Sequence, residues 1–130
     1  MFDFRKAGQE LTALAPIMAG KEKLKTEEVI NKQLTIIGVG FARKFDEGGN
    51  TIVDDNGEPD TYAVVEFEEM PGYVYPCGTV PTNVFKDFLL QFEGKEQDLN
   101  DAIKESKGIK VQFSASKTKK GRDCTVIQFL

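Results

Sequence analysis

Residues 33–45, Gln33-Leu-Thr-Ile-Ile-Gly-Val-Gly-Phe-Ala-Arg-Lys-Phe45, hold the reading on which the fold turns. β-Branched and aromatic side chains dominate the run, which predicts a strand. Gly38 and Gly40 stand inside it, and a glycine in a strand interior weakens the strand unless a bulge, a corner or a close neighbour requires it. The first strand is therefore expected to be strongly curved.

Downstream, residues 46–60 are dense in turn formers, including Asn56-Gly57, and predict a long exposed loop or flexible hairpin. Its carboxylates Asp54, Asp55, Glu58 and Asp60 lack the glycine and glutamate spacing of a calcium loop, so they read as solvated charge. A second strand is expected over residues 61–69, a turn at Pro71-Gly72, and a third strand over residues 73–77. The period then changes. Val84, Phe85, Phe88, Leu89 and Phe92 fall at helical spacing behind Thr82 or Asn83 as the cap. A shorter helix over residues 97–106 should stop at Lys107-Gly108. Ile109, Val111 and Phe113 alternate with Lys110, Gln112 and Ser114 in a half-buried fourth strand. A basic turn, residues 116–122, leads to a fifth strand over residues 124–130.

Upstream, Phe2, Phe4, Leu11, Leu14, Ile17 and Met18 have the spacing of a short amphipathic helix, which Pro16 and Gly20 should kink or end. Thr26 is placed to cap a single helical turn with Glu27 and Glu28 at its positive end. Two regions follow from this reading, an N-terminal helical extension over residues 1–32 and a barrel domain over residues 33–130.

Composition removes several function classes. The chain has 130 residues, enough for one core. It contains no histidine, so the commonest general base and zinc ligand is missing. Cys77 and Cys124 are far apart and form no C-x-x-C pair, which reads as buried reduced thiols rather than a disulfide scaffold or a zinc knuckle. Neither cysteine has a histidine to activate it, and Gly38-Val39-Gly40 lacks the rest of a dinucleotide fingerprint. No catalytic residue, metal site or cofactor is therefore expected. The N-terminus lacks the apolar region of a secretion signal, and no run approaches the ~18 apolar residues of a membrane span. A cytoplasmic protein away from membranes is the expectation.

The order of elements is strand, strand, strand, helix, strand, strand. That order fits an all-β class with one or two helices, specifically a five-stranded OB-type Greek-key barrel with its helix between strands three and four. Such barrels bind oligonucleotides on the face of strands two and three. Tyr62, Tyr73 and Tyr75 would lie there as stacking surfaces, each base stacked being worth about 1–3 kcal/mol. Lys117, Lys119, Lys120 and Arg122 would rim the groove, joined by Arg43 and Lys44, to neutralise phosphates. Glu66, Glu68 and Glu69 oppose this unless they point away. The net charge of −4 also argues against a uniformly basic nucleic-acid coat.

Residues 27–36, running from Glu27 to Ile36, the strand Tyr62-Ala-Val-Val-Glu-Phe67 and the Lys-Gly-Arg turn before the last strand resemble the small single-stranded-DNA-binding proteins of phages and integrated mobile elements. The resemblance is mostly one of layout. It implies a sequence-independent, oligomeric binder of displaced single-stranded DNA in replication or recombination, with RNA left open as a ligand. Bacterial members carry an acidic tail ending in phenylalanine, whereas this sequence ends at Phe129-Leu130, so recruitment through such a tail is not expected. The second reading is a structural or protein-interaction module on the same barrel.

Overall fold

The computed structural model describes residues 16–18 and 20–130. Of the helix expected over residues 1–20, only the 3-10 turn Pro16–Met18 and Gly20 are described; Phe2, Phe4, Leu11 and Leu14 lie outside the described residues.

Nine further elements follow: β1 (Glu22–Lys23), α1 (Thr26–Val29), β2 (Gln33–Arg43), β3 (Thr61–Phe67), β4 (Tyr73–Pro76), α2 (Thr79–Gln91), α3 (Glu96–Glu105), β5 (Ile109–Lys117) and β6 (Asp123–Phe129). The strands form one mixed sheet in the order β1-β4-β3-β2-β5-β6. The class is β-rich with few helices, as read from sequence. The closed barrel is corrected: the sheet stays open, because β1 runs parallel to β4 on the edge through which a five-stranded barrel would close. Among the described residues the sheet thus begins at Glu22 rather than at Gln33, and α1 buries Val29 completely in the main core. Two residues with alternating charge gave β1 no period to read.

β2 carries the curvature. Ile36 pairs with Phe67 and Gly38 with Glu66, so Ile37 is an extra residue that bulges the strand. The bulge reverses side-chain parity. Leu34 and Ile36 face the core before it, Val39 and Phe41 after it. The first part of β2 pairs with β5, from Gln33↔Gln112 to Ile36↔Ile109, and the second part pairs with β3. One bent strand thereby serves both halves of the sheet.

The core joins Leu34, Ile36, Val39, Ala63, Val65, Phe67, Val111 and Phe113 to Phe85 of α2 and to Leu99 and Ile103 of α3. Helix α2 starts at Thr79, earlier than the caps expected at Thr82 or Asn83. Pro81 fits its first turn, where a missing N–H costs no helical bond. Thr82 ties the helix to the sheet instead: its Oγ1 accepts from the Ala63 amide at 3.0 Å and donates to the Cys77 carbonyl at 3.3 Å. Similarly, Lys25 rather than Thr26 precedes α1, and Glu28 accepts the Lys25 amide at 2.7 Å. Helix α3 ends as expected, with Lys107 at φ 60° and Gly108 at φ +94°. A Cβ on Gly108 would come 2.5 Å from Thr35 Cγ2, so glycine is required twice over there.

Where β5 turns away from β2, a side chain takes over. Asn100 of α3 accepts the Val39 amide through Oδ1 and donates to the Val39 carbonyl through Nδ2, both at 2.8 Å. On the side away from β3, the second half of β2 thus keeps the Val39 peptide bonded where β5 no longer reaches.

Candidate nucleic-acid interface

The three tyrosines do not form one platform. Alternation along β4 puts Tyr75 on the core side, where it pairs with Val65 and is 2% exposed. Its ring packs edge-on against Phe113 with centroids 5.2 Å apart, and its hydroxyl meets Thr26 Oγ1 at 3.2 Å. Tyr75 is therefore core, and the stacking role expected for it is corrected. The sequence places it two residues from Tyr73 on the same side of the strand, and only the register opposite β3 separates a rim position from a core one.

Tyr62 points to the opposite face, half-buried against Met18, Ala42, Val64 and Val74. Burial raises its hydroxyl pKa. Tyr73 is the open ring, 41% exposed, at the rim of a groove of about 380 Å3 shared with Leu24, Lys32 and Met70.

The cations also split. Lys117, Lys119, Lys120 and Arg122 are all exposed on the turn between β5 and β6. Only Lys117 has an acidic neighbour among the described ion pairs, Asp123 at 3.8 Å. By register, β5 runs past Gln33 at the start of β2, so this hairpin extends beyond that end of the strand. Tyr73 lies toward the same end, since its neighbour Val74 pairs with Glu66, close to Phe67↔Ile36. Arg43, Lys44 and Tyr62 sit at the other end of β2. Arg43 is exposed, but Lys44 is tied to Asp60 at 3.1 Å, as is Lys86. Hydrogen bonds from these two lysines outweigh desolvation and hold the Asp60 carboxyl below its ordinary value. Lys44 is thus already paired within the fold, sharing the single Asp60 charge with Lys86.

The acidic residues of the β3 region are partly absorbed. Glu66 accepts Lys21 Nζ at 2.8 Å. Burial would raise the Glu69 carboxyl, but the Thr35 amide at 2.7 Å and hydroxyl at 2.9 Å hold it below its ordinary value. Glu68 stays exposed.

The face carrying Tyr62 is occupied from within the chain. Ile17 Cδ1 lies 3.3 Å from where a Gly38 Cβ would stand, and Met18 is buried beside Val64 and Val74. A groove of about 620 Å3 runs along this contact, floored by the Gly38–Gly40 backbone and flanked by Lys21, Glu66, Asn100 and Lys104. Gly38 thus answers both readings of a strand glycine, beside a bulge and under a close neighbour. The signal for the neighbour lay in the N-terminal apolar spacing, which carried no hint of its docking place.

Cys77 and Cys124 are free thiols; Cys77 is buried, which pushes its pKa up, while Cys124 is half-buried. Among the described residues no group of Cys, Asp and Glu is arranged to hold a metal ion. Nor is any described helix long and apolar enough to cross a membrane. No protein-family model matches this chain, and no curated protein or solved structure compared with it does either.

Proposed function

We propose that the protein binds single-stranded nucleic acid without sequence preference, through charge more than through stacking. The observation that carries the reading is the exposed hairpin Lys117–Arg122, four cations within six residues of a chain whose net charge is −4. Like charges are concentrated there at a cost in self-repulsion, which a polyanion relieves by counter-ion release. The strand pairing adds support. β2 pairs with both β3 and β5, and helices separate β4 from β5, as in an OB-type barrel opened at one seam. Tyr73, toward the same end of the sheet, supplies the one freely exposed phenol ring for a base. Single-stranded DNA of a replicating or recombining phage or mobile element is the ligand the sequence layout favours.

Fluorescence anisotropy with labelled oligo-dT tests this. Binding should weaken with salt at a log–log slope of about −2 to −3, the value for three or four phosphate contacts on a single strand. No binding at micromolar protein in low salt ends the proposal.

A protein-interaction role is the second reading, favoured by apolar side chains left in solvent, with Val53, Leu90 and Leu130 each more than half exposed.

A further inference from the structure

We propose that β6 is a homodimer interface, two copies pairing antiparallel along Asp123–Phe129 about a twofold axis at Val126. Among the described residues β6 has a strand on one side only, β5, because β1 holds the edge of β4 where β6 would otherwise close the sheet.

The phase of the ladder shows which groups are free. The Leu130 amide donates to Lys110 O and the Thr118 amide to Arg122 O, so the hydrogen-bonded pairs of β5 and β6 fall on even numbers. The Asn31 amide reaches Phe113 O on the far side of β5, in agreement. Asp123, Thr125, Ile127 and Phe129 therefore turn their N–H and C=O groups away from β5, to the side where no described strand pairs with them and α2 packs nearby through Phe88. This set is complementary to itself. With Val126 on the axis, Thr125 of one copy meets Ile127 of the other, Asp123 meets Phe129, and all four residues pair in the isologous manner of a twofold contact.

The two edges of the sheet are protected unequally. β1 is two residues long and both are charged, a common way to blunt an edge. β6 from Cys124 to Phe129 has no charge, proline, glycine or bulge, and reads Cys-Thr-Val-Ile-Gln-Phe. It is a template for another strand. Phe129, 42% exposed while its ring meets Phe88 at 5.6 Å, extends the apolar surface at one end. A second copy is the occupant that charge permits. Antiparallel pairing carries the two basic hairpins to opposite ends of the joint, about 20 Å apart for strands of this length, beyond the ~8 Å screening length at physiological salt.

Sedimentation equilibrium of the full chain at 1–100 µM should give twice the 14.5 kDa monomer mass. Thr125→Pro removes one outward N–H and leaves every β5 bond in place, so it should abolish the dimer while the circular dichroism spectrum is kept. Because that variant could unfold, Val126→Cys in a Cys124→Ser background is the companion. Mild oxidation should link it into a covalent dimer across the axis. A native chain monomeric at 100 µM overturns the proposal. So does a dimer that forms no crosslink at position 126, which would mean that the copies meet elsewhere.

Discussion

At the scale of single residues, Asn100 does the work of a missing strand. Its side-chain amide mimics a peptide group and satisfies both polar atoms of Val39. Asn100→Ala should lower unfolding free energy by about 2–3 kcal/mol, the cost of two lost bonds that leave partly buried partners. Chemical denaturation measures it, and Asn100→Asp, which keeps the acceptor but sets a carboxylate oxygen against the Val39 carbonyl, should destabilise at least as much. Asp60 gives a pH signature. Its carboxyl is held below its ordinary value of 3.8 by Lys44 and Lys86, so its stabilisation is present above 3.8 and is lost as pH falls through the lower folded value. Wild type should exceed Asp60→Asn at neutral pH by at most about 1 kcal/mol per pair, since all three side chains are partly solvated. Thermal melts should show the gap closing below pH 3.8 and shrinking with added salt. The sequence made Asp60 one of several loop carboxylates, and nothing in its neighbours marked it as the one with two lysine partners.

At the scale of elements, the hairpin and the Arg43 end of β2 make separable contributions. Lys119→Glu with Lys120→Glu should weaken oligo-dT binding at low salt by about tenfold or more and flatten the salt slope by about 1.4, at 0.7 per phosphate contact. Arg43→Glu should change affinity less than threefold, because the neighbouring Lys44 is already paired. Equal losses from both would mean that the ligand spans the sheet. The strands β2 to β6 were legible because β-branched and aromatic residues fill them, and in β5 because buried and open residues alternate. The register was not. Which tyrosine of β4 enters the core depends on its partner across the sheet, and the Ile37 bulge reverses faces within β2 with only two glycines as a sign. The split of the candidate site follows from the same gap, since a string of elements does not say from which end of β2 each loop departs.

At the scale of the whole molecule, β2 is the spine of an open book. One leaf is β1, β4 and β3, and the other is β5 and β6. Strand pairing joins β5 to β2 along the four residues from Gln33 to Ile36, extended by the Asn31 amide on the Phe113 carbonyl; beyond them α2, packed against both β3 and β6, holds the second leaf. A pull on the basic hairpin therefore acts on the β5–β6 leaf, whose strand pairing to β2 is shorter than the pairing of β3 to β2. Under tension that leaf peels first, like a page torn from its stitching, and β1, β4 and β3 stay bound to the spine.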